Sequence, residues 1–300
     1  MHQLNPRDVA VIIDPYTGGA EAGHDWADAG FSTFDAGGST TEAVRAALET
    51  QSEVIVTDGD DRLVGRVITE IRRVGVDREP AILPVGNRPY RTVGRRVGRP
   101  APGRGIAGAL ADELERGDAE VLELPTLRVT SSTEAAPRWG FNLGAGILFP
   151  LFEAHHRAGG EGWSGLSGAV SQLAQRVATA GSEAFEPRRG RIVVDGQPWG
   201  DSLGYLLVSS LDRSWLGLEM SDQDRPTWVA GEAGGDFLRR LAKSRALPGF
   251  LSSAEGSPFD GIQIDWSEGF VLDGALVDPG RAHVLDIRPG EAAKLLHTPL

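Results

Sequence analysis

The chain has no cysteine, which removes disulfides, thiolate metal sites and cysteine nucleophiles together. It also has no long hydrophobic run. The apolar stretch nearest the N-terminus, Val9 to Ile13, is too short for a signal-peptide core and follows no basic region, and no later stretch approaches membrane-spanning length. No integral membrane segment is expected, and the protein reads as cytoplasmic. Lysine is nearly absent, so the positive charge is carried by arginine. Net positive charge is lacking too: the formal charge is -12, which disfavours generic binding to nucleic acid or to anionic membrane. There is one local exception. Arg88, Arg91, Arg95, Arg96, Arg99 and Arg104 follow Arg78, with no acid between residues 80 and 111. A solvated arginine-rich helix and loop accounts for this better than an anion site.

What is present suits a globular protein of two domains. The chain has 300 residues, with 40% apolar and 24% charged, and its Gly 40 and Pro 18 imply many turns. "DVAVIID" reads as a buried strand followed by the turn-rich "PYTGGAEAG", and "HDWADAGF" as a short helix. "TTEAVRAALETQ" reads as a threonine-capped helix, "EVIV" as a strand and "RLVGRVITEIRRV" as a helix. Strand "AILPVG" and helix "IAGALADELERG" continue the alternation, which implies a parallel sheet. Sites of such sheets lie beyond the carboxyl ends of the strands, so the loops at 14–19, 57–62 and 84–88 are expected to converge.

From about residue 119 the rhythm changes. "AEVLELPTLRVTS", "RIVVDGQPWG", "YLLVSSL", "FDGIQIDW", "GFVLDGALVD" and "AHVLDIRPG" read as extended segments between turns, interrupted by the glycine-rich "WGFNLGAGILFPLFEAHHRAGG" and the helical "GLSGAVSQLAQRVATAGSE". The C-terminal "EAAKLLHTPL" reads as a strand or short helix returning to the surface. The expected organisation is an α/β nucleotide-type domain with a parallel sheet over 1–118, then a β-rich, sandwich-like domain with a helical insert over 119–300, whose last strands can return to the first domain.

Several segments, in order, resemble the diacylglycerol kinase catalytic domain family, which includes bacterial lipid kinases and sphingosine kinases. "IIDPYTGG" is similar to the family's strand and Asn-Pro-x-Ser-Gly loop, and "VTDGDDRL" falls where Gly-Gly-Asp-Gly-Thr-Leu is expected. "AILPVGNRPYRTVGR" resembles its Pro-x-Gly-Thr-x-Asn-Asp segment, "FNLGAGILFPLFEAH" the glycine-bearing strand opening the second domain, and "FVLDGALVDPGRAHVLDIRPG" the closing Asp-Gly-Glu segment. The resemblance implies ATP and Mg2+ as cofactors and a lipid or other hydroxylated small molecule as acceptor, meeting ATP in the cleft between two domains. Homodimerisation through the β-rich half is an expectation by analogy.

The departures fall on the residues that matter. Asp14 stands for Asn and Thr17 for Ser, while Pro15 and Gly18 match. Gly59 and Asp60 match, but Asp58 and Asp61 replace glycines and Arg62 replaces threonine. Glycine allows the close backbone approach a phosphate needs, whereas aspartate adds a Cβ and a like charge. The third loop keeps Pro84, Gly86, Asn87 and Arg91 but is about two residues short. Where the family has its general base, this chain has Ala275, and base catalysis contributes roughly a hundred- to ten-thousand-fold.

Two functional readings follow. In one, ATP phosphotransfer has been lost or altered, and the protein is a binding or regulatory module or uses its cleft for other chemistry. In the other, it is an active Mg-ATP-dependent kinase of a lipid or small-molecule hydroxyl, with Asp58, Asp60 and Asp61 holding Mg2+ and Asp60 or Asp273 as catalytic carboxylate. Asp14, Thr17, Gly18, Gly59, Arg62, Gly86 and Asn87 would then line the nucleotide. Asp273 and Asp278 read equally as turn residues, and the metal loop equally as an acidic surface loop. His155 and His156, adjacent on a helix, point apart and suit a surface or capping role, and Trp139, Phe141, Phe149 and Phe152 suit a core. A dinucleotide-binding enzyme is disfavoured because no Gly-x-Gly-x-x-Gly turn follows the first strand.

Overall fold

The computed structural model describes residues 6–16, 26–85, 92–97, 105–117, 119–157, 188–212, 220, 225–231, 257–277, 280 and 283–297. Thr17, Gly18, Gly86, Asn87, Asp278 and the helical expectation at 165–183 lie outside these residues. The chain divides into two compact units, 1–124 with 292–300, and 125–291.

The first unit alternates strands and helices. After a 3-10 turn at Pro6–Asp8 come β1 (Val9–Ile13), β2 (Ser32–Asp35), α1 (Thr40–Glu49), β3 (Val54–Asp58), α2 (Asp61–Val74), β4 (Ala81–Pro84), α3 (Thr92–Arg96), α4 (Ile106–Arg116) and the beginning of β5 (Glu120–Ser131). β1 pairs in parallel with β2 and β3, and β3 with β4. The final strand of the chain, His283–His297, adds to the far side of β4 in parallel, with Leu295 opposite Ile82.

β1, β3 and β4 are near-continuous apolar runs because a parallel sheet is covered on both faces. One face packs Val9, Val11, Val54, Val56, Ala81 and Leu83 against Leu110 and Leu114 of α4 and against Trp26 and Phe31. The capping of α1 differs from expectation: Ser39 is the cap, accepting from Glu42 N at 3.3 Å, and Thr40 is already helical. α2 starts on Asp60 and stops at Gly75, whose φ of 71° terminates the helix in the left-handed conformation.

The second unit contains β6 (Arg138–Gly140), β7 (Asn142–Gly146), α5 (Leu148–Arg157), β8 (Arg188–Val194), β9 (Gln197–Leu203), β10 (Tyr205–Ser209), β11 (Thr227–Gly231), β12 (Ser257–Pro258), β13 (Ile262–Trp266), β14 (Phe270–Leu272), β15 (Ala275–Val277) and β16 (His283–His297), which it shares with the first. β12, β11, β10, β7, β14 and β15 form an antiparallel sheet in that order. The unit's part of β16 pairs antiparallel with β13, which pairs with β8, which pairs with β9.

Alternation along these strands builds the core. Leu143, Ala145, Leu206, Val208, Phe270 and Leu272 from the first sheet meet Ile192, Leu203, Ile262, Ile264, Leu285 and Ile287 from the second, in the manner of a β-sandwich. "RIVVDGQPWG" is not one extended segment but a hairpin. Asp195 and Gly196 have φ of 51° and 77°, the two positive values that a tight two-residue hairpin turn requires. The C-terminal segment takes the strand of its two expected forms, continuing β16 without a break, but it does not return to the surface: Leu295 and Leu296 are fully buried.

Candidate functional site

The loops after β1, β3 and β4 start side by side, as parallel strands require: Asp14 N donates to Asp58 O at 2.9 Å and Val85 N to Thr57 O at 3.0 Å. This register brings together Asp14, Asp58, Gly59, Asp60, Asp61 and Arg62. All four aspartates are buried.

Each carboxylate of the middle loop has a separate task. Asp58 accepts the indole N–H of Trp26 at 2.9 Å. Asp60 caps α2, accepting from Arg62 N at 3.0 Å, and its other oxygen pairs with Arg62 Nε at 2.7 Å. Asp61 reaches across to α3 and accepts from the backbone N–H groups of Thr92 and Val93, the latter at 3.2 Å. Beside them, Asp14 accepts from Tyr16 N and pairs with Arg66 Nη2, both at 3.0 Å.

Burial raises the proton affinity of the three acids of the middle loop. Burial holds the Asp58 carboxyl above the usual range against the Trp26 hydrogen bond. Burial pushes Asp60 up to about 6, although the charge and hydrogen bonds of Arg62 oppose it. Burial pushes Asp61 up to about 7, with the Thr92 and Val93 amides opposing and the charge of Asp60 assisting. Among the described residues, no group of three or more His, Cys, Asp or Glu has the arrangement of a metal site.

Gly59 is required by packing. A Cβ there would lie 2.7 Å from Leu63 Cδ2 and 3.0 Å from Leu63 Cβ, so its glycine lets α2 start directly against the loop. Trp26, Arg66, Thr92 and Val93 are the partners that sequence reasoning missed. Arg66 had a signal, since it follows Arg62 by one helical turn; Trp26 and the two amides had none, being more than thirty residues from the acids they hold.

The second unit holds the remaining candidates. Asp273 sits in the Asp273–Gly274 turn between β14 and β15, with φ of 50°. Its carboxylate accepts from Phe141 N at 3.0 Å and from Asn142 N at 2.8 Å, and its own N–H donates to Asn142 O at 2.8 Å. Ala275 opens β15. His155 is buried rather than at the surface, with its ring edge-on to His156 at 5.9 Å, while His156 Nδ1 bonds Phe152 O at 2.8 Å. Trp139, Phe141 and Phe152 are buried, and Trp139 donates to Glu291 at 2.9 Å.

No family model matches the sequence, and no curated protein does. Solved structures do match. Three from Bacillus anthracis str. Sterne, one named a diacylglycerol kinase and two provisionally so, are each 14% identical, and each alignment covers 97% of both chains. Their TM-scores are 0.64, 0.64 and 0.61. The fold is diacylglycerol kinase-like.

Within that diacylglycerol kinase-like fold, the α/β unit and the sandwich-like unit stand in the expected order along the chain. At this identity the likeness speaks for architecture alone. The chemistry rests on the residues described above, and the carboxylates of the middle loop are already held by donors from the chain itself.

Proposed function

We propose that this is a lipid kinase-like protein in which ATP phosphotransfer has been lost or altered, and which acts as a binding or regulatory module for an apolar or hydroxylated small molecule. One observation carries the reading. In the loop that resembles the family's phosphate cradle, Asp58, Asp60 and Asp61 engage Trp26, Arg62 and the α3 backbone, so they build the loop's own fold. The loop's chemistry fits a triphosphate poorly. Arg62 and Arg66 are both paired to aspartates, and an incoming anion would have to break those pairs beside unscreened carboxylates. Ala275 supports the same reading independently, since a methyl group cannot take a proton from an acceptor hydroxyl.

The test is thermal unfolding of the full chain against Mg-ATP. A ligand at a hundred times its dissociation constant adds about 2.7 kcal/mol of stability. No shift at millimolar Mg-ATP is the expected result. A dose-dependent rise that disappears in Asp60→Ala would instead establish a working nucleotide site and favour the active Mg-ATP-dependent kinase, with Mg2+ held at the acidic loop.

A further inference from the structure

Four aspartates in the chain are followed directly by glycine: Asp58, Asp195, Asp260 and Asp273. Such a pair is chemically labile, because a glycine has no side chain to hinder its N from attacking the neighbouring carboxyl carbon. The structure separates the four. Asp58 and Asp273 are buried, and their carboxylates are held by the Trp26 indole and by the Phe141 and Asn142 amides. Asp195 has its Oδ1 committed to two amides of another segment. Asp260 lies in solvent, its side chain 84% exposed and paired at one oxygen with Arg225 Nη2.

The amide that would attack Asp260 is that of Gly261, and it is already engaged. Gly261 N donates to Asp195 Oδ1 at 2.9 Å, and Asp260 N donates to the same oxygen at 2.7 Å. In return, Asp195 N donates to Gly261 O at 2.8 Å. Asp195 therefore holds Gly261 by both its N–H and its C=O. The strand register puts it there: β8 and β13 pair Val194 with Ile262, and Asp195 meets Gly261 one step beyond that pair.

We propose that Asp260–Gly261 is a latent self-modification site, at which Asp260 isomerises to isoaspartate, and that Asp195 guards it in the folded chain. In the unguarded reaction Gly261 N gives up its proton and bonds to Asp260 Cγ, and the carboxyl oxygen departs as water, leaving a five-membered succinimide. Water then adds at the α-carbonyl and breaks the original peptide bond. The chain now runs through Cγ, one methylene longer, and no oxidant or second substrate is consumed. Asp195 opposes the first step in two ways. Its carboxylate accepts the proton that must leave, so deprotonation would set two anions at hydrogen-bond distance. Its hydrogen bonds also hold Gly261 in register, whereas ring closure requires the N to turn toward Cγ. The added methylene would precede Ile262, which is fully buried and paired with Val194 and Ile287, so the modification would displace the start of β13. Isoaspartate at 260 is thus a record of opening at the β8–β9 hairpin, and the inference does not depend on the small-molecule reading.

The experiment incubates the full chain at neutral pH and body temperature, folded and in urea, and reads isoaspartate at position 260 by peptide mapping and by methyl transfer with an isoaspartyl methyltransferase. Asp195→Gly removes the carboxylate and keeps the turn, since Gly-Gly also adopts two positive φ values. Isoaspartate at 260 should accumulate severalfold faster in folded Asp195→Gly than in folded wild type, at equal rates for both in urea, and should vanish in Asp195→Gly/Asp260→Glu, whose ring would need an extra member. Equal rates in the two folded proteins, or folded wild type as fast as its urea sample, would overturn the proposal. Hydrogen exchange of the wild-type Gly261 amide decides the matter even where the variant fails to fold, because exchange removes the same proton. Exchange far slower than in an open chain is expected, and open-chain exchange would overturn the guard.

Discussion

Asp61 is pulled in two directions. Its two oxygens accept from the amides of Thr92 and Val93, which favours the carboxylate, while complete burial favours the neutral acid and wins, placing its pKa at about 7. Because this lies above an aspartate's ordinary value of 3.8, the folded chain holds a proton that the unfolded chain releases. The group's contribution to stability is complete below about pH 4 and is lost as the pH rises through about 7. Urea midpoints of wild type, compared with Asp61→Asn, should therefore fall relative to the variant between pH 5 and pH 8; a constant difference would refute the assignment. Trp26→Phe removes the ring N–H given to Asp58 and should cost about 1–3 kcal/mol, an effect that shrinks in an Asp58→Ala background. That the acids were out of place for a phosphate cradle was legible from residue type alone. Their partners were not, since a tryptophan in one loop and two amides in another become neighbours only through the parallel register.

Elements were read well where one physical signal dominated. Apolar runs bounded by turns marked β1, β3 and β4, and Asp273 beside Gly274 marked a turn that positive φ values close, whereas the Asp195–Gly196 pair was passed over inside a segment read as extended. Reading failed where signals competed. Ser39 and Thr40 are both good caps, and only the backbone shows which one is extended. Similarly, Pro289 and Gly290 suggested an end to the last strand, yet it runs on to His297. Two glycines give direct tests. Gly59→Ala should cost about 1–3 kcal/mol by driving a methyl group into Leu63, with partial recovery in Leu63→Ala, as measured by denaturant unfolding. Gly146→Ala should be worse, more than about 2 kcal/mol, because φ is 70° there and the new Cβ would collide with the carbonyl of Gly204.

For the whole molecule, the switch from alternating elements to extended ones announced two architectures, and the order of five short motifs pointed to the diacylglycerol kinase-like fold. Among the described residues, no helix is long and apolar enough to cross a membrane. The position of residues 292–297 was less legible, because nothing in a strand's composition says which sheet it joins. Leu295 and Leu296 are fully buried in the first unit, so a fragment ending at Leu124 should lose cooperative unfolding by circular dichroism. A sharp transition in that fragment would show the last strand to be dispensable. During synthesis this arrangement has a temporal meaning: the first unit to leave the ribosome cannot close its sheet until the second has been translated. The β4 edge is therefore unpaired for most of translation, the interval in which a chaperone or a neighbouring nascent chain can reach it.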